Sequence, residues 1–231
     1  MKKLLAIVLL LCLLSTSAFA AGNLERTETR VVRDAKDNGK YDINIFIQVK
    51  NTGDAPVSMD KASIYLYDAN GTVLDDETAY SMYPSILQPG EIGYIYRQIY
   101  NAEASLATSI ASYSITIAPE HKYLDEVAHL THYAEYMEVK ANQYSSLEPL
   151  TYFTITNDYS DTIWNPVVVC IVRSTEGKIL SIQASTVYDV GIPSGQTVMY
   201  EKSLGSSALK KWNESGHTVG AIETFCYIEL N

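Results

Sequence analysis

The sequence predicts an all-β protein made of two antiparallel β-sandwiches in tandem. The first observation is a series of short segments in which apolar and polar residues alternate, separated by turns rich in Gly, Pro, Asn and Asp. The second is a strand-turn-strand pattern that occurs twice, with the same spacing that separates Asn51 from Asn157. A repeat of about one hundred residues matches a domain and is too long for a solenoid unit.

The first copy of this pattern centres on a β-hairpin. Residues 64–67, Ile-Tyr-Leu-Tyr, alternate with the period of a strand, and residues 72–74 resume extended structure. Between them Asp68 opens a four-residue turn that ends at Gly71, the placement that a type I turn favours. The second copy, residues 170–180, repeats the apolar run, the polar turn ending in Gly and the second apolar run.

Two further segments keep the register of the repeat. Residues 47–51 and 153–157 are strands that each close with Asn, and both copies continue to a Pro- and Gly-containing turn, at 88–91 and at 193–196. The spacing between the two turns is one residue shorter than the spacing between the two strands. We therefore interpret the chain as two copies of one β domain.

Residues 1–20 have the organisation of a secretory signal peptide. Two lysines precede an apolar run at residues 4–14, and the small residues Ala18 and Ala20 form a signal-peptidase site. A retained membrane helix is the alternative, but the run is shorter than the roughly 20 residues that a membrane span needs. We expect cleavage after Ala20 and a secreted, extracytoplasmic mature protein without a membrane span.

The charge of the chain argues against nucleic acid as a partner. There are 17 Lys and Arg against 27 Asp and Glu, which gives a formal net charge of −10. Loss of the two leader lysines makes the mature chain more acidic still. Phosphate backbones are normally bound by clustered Lys and Arg, which this chain lacks.

The remaining segments complete the predicted domains. In the first domain, strands are expected near residues 24–34, 42–51, 62–67, 72–74, 92–97 and 110–117. In the second, they are expected near residues 132–139, 150–157, 166–173, 178–187, 197–203 and 221–229. The plausible helices are 102–108 and 206–212. The predicted organisation is a first domain at 21–118, a short charged linker at 119–129 and a second domain at 130–231.

The first copy resembles the bacterial FxLYD domain. The resemblance rests on Ile64-Tyr65-Leu66-Tyr67-Asp68, Asn70-Gly71, Pro89-Gly90-Glu91 and the upstream Val49-Lys50-Asn51-Thr52-Gly53. Ile64 stands in place of the family's Phe. In the second copy the signature is degraded, because the family's Phe, Leu, Tyr and Asp are replaced by Cys170, Val172, Arg173 and Ser174.

The FxLYD resemblance, extended to both copies, covers nearly all of the predicted mature chain. It implies an immunoglobulin-like β-sandwich in an exported or envelope-associated protein. It implies no catalytic residues and no cofactor, because the family motif is structural.

The sequence offers little catalytic or metal-binding chemistry. No Gly-x-Ser-x-Gly elbow, zinc-ligand cluster or phosphate-binding loop is present. Residues 68–71 begin like a calcium loop, but no Asp stands at the fifth position that an EF-hand requires. We therefore expect a protein that is not an enzyme and that has no cofactor.

One histidine pair is a weak metal candidate. His129 and His132 lie beside Asp125, Glu126 and Glu135, and this group would assemble a site only on a helix. The repeat places His132 in the first strand of the second domain, where the two histidines point to opposite faces. We expect a surface or linker role and no metal.

Cys170 and Cys226 are the only cysteines of the predicted mature chain. Each is in phase with apolar neighbours, so both are predicted to face the core of the second domain. An exported chain with an even cysteine count permits a disulfide. Two buried free thiols are the alternative, and strand geometry decides between them.

Tyrosine is the unusual residue, with 18 Tyr against 4 Phe. Tyr65, Tyr67, Tyr94 and Tyr96 alternate along two strands of the first domain, and their phase leaves some on the outer face. Such rings offer flat apolar area and a hydroxyl, which suits glycans or peptides. The alternative is that Tyr has high β propensity and packs across strands.

The sequence therefore predicts a secreted, non-enzymatic adhesion or interaction protein at the bacterial cell surface, with an unknown extracellular protein or glycan as partner. The alternative is a carbohydrate-binding module that uses the four tyrosines. A coplanar row of these rings on one sheet face would favour the glycan. Addition of a partner strand to a free sheet edge is a further route to binding.

Overall fold

A computed structural model describes residues 22–120, 126–141, 147–189, 191–205 and 208–230. The predicted signal peptide lies outside these residues. Within them the fold is all-β, and every strand pair is antiparallel. The predicted fold class, an all-β chain of two antiparallel sandwiches in tandem, is confirmed.

The first domain contains eight strands and one short helix among the described residues. They are β1 (Leu24–Ala35), β2 (Tyr41–Asn51), β3 (Val57–Tyr67), β4 (Val73–Ala79), β5 (Met82–Tyr83), β6 (Ile86–Leu87), β7 (Ile92–Ala102), α1 (Ala104–Ser109) and β8 (Ser112–Glu120). Sheet A has the order β1-β2-β7-β5. In sheet B, β3 pairs with β4, β6 and β8.

The described part of the second domain repeats this plan. Its elements are β9 (Glu126–Ala141), β10 (Leu147–Thr156), β11 (Ile163–Trp164), β12 (Val167–Ser174), β13 (Ile179–Thr186), β14 (Gly191–Ile192), β15 (Thr197–Ser203), α2 (Ala208–Glu214) and β16 (Val219–Leu230). The start of β9 pairs with β16 and the rest of β9 pairs with β10. Strand β9 therefore joins sheet C (β13-β12-β16-β9) to sheet D (β9-β10-β15), while β11 pairs with β14.

Each predicted strand overlaps an observed one, with ends that differ by up to six residues, and four observed strands were not predicted. Strands β5, β6, β11 and β14 have two residues each, which is too short to create a sequence periodicity. Both predicted helices are present. Strand β8 extends to Glu120 and β9 begins at Glu126, so regular structure enters both ends of the predicted linker.

A buried asparagine explains the strongest part of the repeat. The Asn51 side chain is fully buried, and its Nδ2 donates to the carbonyl oxygens of Ala55 at 2.8 Å and Leu87 at 2.9 Å. Its Oδ1 accepts the N–H of Gly53 at 2.9 Å and of Asn23 at 3.2 Å. One side chain thus holds the loop after β2 against the end of β6.

Asn157 makes the same network in the second domain. It too is fully buried, and its Nδ2 donates to the carbonyl oxygens of Asp161 at 2.8 Å and Ile192 at 2.7 Å. Its Oδ1 accepts the N–H of Tyr159 at 2.9 Å. An apolar residue in its place would leave these buried backbone groups without partners and would lower the free energy of unfolding.

The two hairpin turns also close in the same way. The N–H of Gly71 donates to the Asp68 carbonyl at 3.1 Å, and the N–H of Gly177 donates to the Ser174 carbonyl at 2.9 Å. Both glycines have φ near +80°, which residues with a Cβ rarely adopt. The Asp68 carboxylate and the Ser174 hydroxyl then accept further N–H groups of the turns.

Three layers of apolar side chains hold the four sheets together. One core lies between sheets A and B, with Ile45, Ile64 and Leu66 fully buried. Clusters that include Phe153 and Cys170 fill the space between sheets C and D. A further cluster joins residues of sheet A to residues of sheet C. The sheets are therefore stacked in the order B, A, C, D.

Candidate functional site between the two sandwiches

The two domains meet through the outer face of sheet A and the outer face of sheet C. Phe46 and Tyr94 of the first domain form one buried cluster with Val169, Ile171 and Tyr227 of the second. Each of the five is at most 6% exposed. An interface with so apolar a centre holds the domains in one relative orientation.

Strand β12 carries the sequence signal for this interface. Its residues Val167–Val172 form an apolar run without a polar interruption. The inward-facing Val168, Cys170 and Val172 pack in the second domain, and the outward-facing Val169 and Ile171 pack on the first. A strand that is apolar on both faces is covered on both faces, so the run predicts a second packing partner.

Arg173 is the polar centre of the interface. Its Nε donates to Glu223 Oε1 at 2.8 Å within the second domain. Across the interface its Nη1 donates to Glu28 Oε2 at 2.9 Å, and its Nη2 donates to Gln48 Oε1 and lies 3.4 Å from the Tyr94 hydroxyl. These contacts use the planar fork of the guanidinium, which a lysine does not offer.

The contacts of Arg173 also affect ionisation. Burial raises the pKa of Tyr94 to about 12, and the negative charge of Glu223 adds to this effect. Burial by itself lowers the pKa of Arg173, but the hydrogen bond to Glu28 and the charge of Glu223 outweigh it and raise the pKa above its ordinary value. Tyr94 therefore stays neutral and Arg173 stays charged at neutral pH.

Other polar contacts support the same orientation. The Arg30 guanidinium donates to the Ile179 carbonyl, and the Ile179 N–H donates to Glu28 Oε1 at 3.2 Å. His129 Nε2 of the second domain also lies 3.2 Å from Glu91 Oε1 of the first. Polar contacts thus accompany the apolar centre of the interface.

A cleft of about 390 Å³ lies beside the interface and is lined by residues of both domains. Its volume lies within the range of about 300–1,000 Å³ of ligand sites. The first domain lines it with the outer face of sheet A, by Asp34, Asn44, Phe46, Tyr83, Tyr96 and Gln98. The second domain lines it with β13, β15 and α2, including Ser181, Gln183, Lys202, Lys211 and Trp212.

Tyr96 forms the aromatic part of the cleft wall. Its ring stacks on Phe46 with a centroid distance of 5.4 Å and an interplanar angle of 13°. The hydroxyl lies 2.8 Å from Asn44 Oδ1 and 2.7 Å from Gln98 Oε1, and donates its proton to one of them at a time. Burial, followed by nearby negative charge, raises the pKa of Tyr96, so the hydroxyl stays protonated.

The charged groups of the cleft are unevenly distributed. Asp34 Oδ2 accepts from Asn44 Nδ2 at 2.8 Å and lies 3.5 Å from Lys211 Nζ of the second domain. Lys202 Nζ donates to the Ser185 hydroxyl. Two ammonium groups and one carboxylate make the described part of the cleft positive, although the chain as a whole is acidic.

The structure does not bring the four predicted tyrosines together. Tyr65 and Tyr67 lie on β3 in sheet B, where Tyr65 is 39% exposed. Tyr94 and Tyr96 do point away from the core of the first domain, but the second domain covers that face. Tyr94 is buried beneath the second domain, whereas Tyr96 lines the cleft, and ligand binding by the four tyrosines stays a prediction.

The two cysteines are buried and free. Cys226 lies opposite Val168 and Cys170 lies opposite Thr224, so the cysteines are diagonal neighbours on β12 and β16. Diagonal positions are about 7–8 Å apart, beyond the Cα separation that a disulfide usually bridges. The structure therefore corresponds to the alternative of two buried free thiols. Burial raises the pKa of Cys226 to about 12, which keeps it an unreactive thiol.

The histidines form no metal site in the described part of the chain. His132 lies on β9 opposite Ile155, and only His129 has a described side chain. Asp125 lies outside the described residues, as do the side chains of Glu126 and Glu135. Among described residues no three His, Cys, Asp or Glu side chains cluster as metal ligands.

Neither described helix is long and apolar enough to cross a membrane.

Comparisons with known proteins are distant. No family model and no curated protein matches the chain, so the FxLYD resemblance stays a prediction. The crystal structure of red sea bream transglutaminase is 10% identical to this chain, with a TM-score of 0.24. The matched region covers 88% of this chain and 29% of the transglutaminase chain. The N-terminal CBM22-1-CBM22-2 tandem domain of Paenibacillus barcinonensis Xyn10C is also 10% identical, with a TM-score of 0.19. That match covers 94% of this chain and 93% of the tandem domain. Scores this low carry no argument about function.

Proposed function

We propose that this chain is an exported, non-enzymatic interaction protein of the bacterial cell surface, and that its ligand is a glycan held in the cleft between the two sandwiches. One observation carries the proposal. A fixed interface between two β domains creates a concave site that combines an aromatic ring with amide, hydroxyl and charged groups from both domains. Export rests on the signal-peptide pattern of residues 1–20.

The chemistry of the cleft suits a sugar. A sugar ring has apolar C–H faces and polar hydroxyl edges, so its site needs an aromatic surface beside donors and acceptors. Tyr83 and Tyr96 offer the rings, and the side chains of Gln98 and Gln183 offer both donors and acceptors. Lys202 and Lys211 favour a sugar that carries a carboxylate.

The carboxylate content of the cleft supports binding without turnover. Glycoside hydrolysis ordinarily uses two carboxyl groups on opposite sides of the scissile bond. Asp34 is the only acidic residue among the described lining residues, and it is held by Asn44 and Lys211. We therefore expect a bound glycan to be released unchanged.

The test is binding of residues 21–231 to an array of neutral and acidic cell-wall glycans, followed by titration calorimetry with the best sugar. We expect the variant Gln98→Ala with Lys202→Ala, which alters both walls of the cleft, to weaken binding at least about tenfold. The matched control is Tyr65→Ala with Tyr67→Ala on sheet B, which we expect to bind like the unaltered protein.

Two results would overturn the cleft as the site. If the Tyr65 and Tyr67 variant loses binding and the cleft variant does not, the ligand lies on sheet B. If the folded protein binds no glycan, a protein partner replaces the glycan as the ligand.

A further inference from the structure

Strand β8 is an edge strand with one neighbour. Among the described strands it pairs only with β3, through residues 112–120. Every second residue of such a strand directs its N–H and C=O groups away from the sheet, where they can pair with another strand. Pro119 lacks an N–H, so residues 112–118 form the continuous free edge.

The second domain has a strand on the corresponding edge. Strand β16 corresponds to β8, because it pairs with β12 as β8 pairs with β3. Its last residues, Cys226–Leu230, are covered by residues 126–130, the beginning of β9, which pair with them in antiparallel register. The second domain therefore contains an example of a strand seated on this edge, whereas among the described residues of the first domain no second strand pairs with β8.

Burial of the inward-facing side chains differs where the second strand is seated. Cys226, which pairs with Leu130 of β9, is 1% exposed. At the corresponding position of β8, Ile117 is only partly buried, as is Ile115, and the next inward-facing residue, Tyr113, is 39% exposed. The edge of the first core thus leaves apolar surface that an added strand would cover.

Residues 112–118 also lack the charges that usually block edge pairing. Their sequence, Ser-Tyr-Ser-Ile-Thr-Ile-Ala, contains no charged side chain. The opposite edge of the same sheet, β4, carries Asp75, Asp76 and Glu77. Charged side chains on an edge strand prevent association with other strands, and β8 lacks this protection.

We propose that β8 is a dimerisation edge, at which the β8 strands of two copies of this chain pair in antiparallel orientation. The sequence of β8 is self-complementary about Ile115. With Ile115 opposite its own copy, Tyr113 lies opposite Ile117 on the core face, and Ser114 lies opposite Thr116 on the outer face. Aromatic pairs with β-branched residues and hydroxyl pairs both stabilise antiparallel strands.

The absence of charge favours a second copy over other occupants. Two copies of an acidic chain repel each other, and β8 is a long segment that brings no negative charge to the contact. A ribbon of seven residues is small against a standard interface of about 1,600 Å². The dimer is therefore weak and forms at high protein concentration.

The test is sedimentation equilibrium of residues 21–231 from micromolar to millimolar concentration. We expect the mass to rise from monomer to dimer. The variant Ser114→Lys with Thr116→Lys places like charges opposite each other and abolishes the dimer, although it lowers the net negative charge of the chain. The variant Ser114→Lys with Thr116→Glu places opposite charges together and restores the dimer.

The control carries two lysines on the other edge of the sheet, as Val73→Lys with Thr78→Lys, and is expected to dimerise like the unaltered chain. All four substituted positions lie away from the buried core, so circular dichroism should show folded variants. A monomer at every concentration, or a dimer that survives the two lysines on β8, would overturn the proposal.

Discussion

The two sandwiches share one framework but present opposite faces to each other. The outward positions of β3 are Tyr65 and Tyr67, and the same positions of the repeat in β12 are Ile171 and Arg173. Tyr65 is exposed, whereas Ile171 is fully buried against the first domain. The outward positions of the two copies therefore differ in exposure, because this face of the second copy is an interface and that of the first is not.

The other outer faces differ in the reverse sense. In the first domain the outward residues of β7 include Tyr94, which is buried beneath the second domain. The corresponding strand of the second domain is β15, where Met199 is 70% exposed. Each copy thus uses a different face, which makes the contact heterologous, and sequence differences between the copies report which face is covered.

The asparagine networks are the largest expected effect and the strictest test that the copies share a framework. We expect Asn51→Ala and Asn157→Ala each to lower the free energy of unfolding by about 3–4 kcal/mol, because each leaves buried backbone groups without partners. Urea unfolding measures the loss. The exposed Asn213→Ala is the control, and a loss below about 1 kcal/mol in either network variant would contradict the shared role.

The outward positions of the repeat provide the next comparison. Ile171→Ala removes buried methyl groups from the interface, and we expect a loss of about 3 kcal/mol. Tyr65→Ala, at the matching exposed position, should cost no more than about 1 kcal/mol. Equal losses in urea unfolding would mean that the first domain does not cover Ile171 in solution.

Arg173 tests the polar part of the interface. We expect Arg173→Met to cost about 2 kcal/mol, because Glu28 and Gln48 lose their partner while the apolar stem is kept. Adding Glu28→Gln should recover part of this loss, since the glutamine no longer carries an uncompensated charge. A double-mutant cycle by urea unfolding measures the coupling, and additive losses would show that Glu28 and Arg173 do not interact.

The hairpin turns give the smallest effect, and it depends on pH. Hydrogen bonds from the Thr72 N–H, and also from the Asn70 N–H, hold the pKa of Asp68 below its ordinary value of 3.8. Slight desolvation of the carboxylate acts in the opposite direction and is outweighed. A lowered pKa in the folded state means that the stabilisation is present above pH 3.8 and is lost as the pH falls through the folded pKa.

Asp68→Ser gives the first turn the residue that Ser174 supplies in the second. We expect this variant to lose the acid dependence of the turn, which NMR titration of the Thr72 amide measures. An unchanged titration would mean that another acid controls this amide.

Local pattern was sufficient for much of the fold. Alternation located the long strands, and the Asp68 to Gly71 turn was predicted from residue preferences that operate within four residues. The two-residue strands were missed because pairing partners, not local preference, create them. The free cysteines depend on the register between β12 and β16, which separate segments of chain decide.

The candidate site divides in the same way. Tyr96 is one of the four tyrosines that alternation along two strands marked as candidates, some of them on the outer face. Lys202, Lys211 and Trp212 carried no signal, since each is an ordinary residue of an edge strand or a short helix. They become part of a site only when the second domain docks beside sheet A.

The sequence by itself determined the fold class, the repeat, the turns and the inward or outward phase of each long strand, because these depend on neighbours along the chain. Only the tertiary structure decided which outward faces are covered, where the cleft opens and which edge remains unpaired. These properties depend on contacts between residues far apart in the chain, such as Arg173 and Glu28, and strand alternation does not encode which distant surface a face will meet.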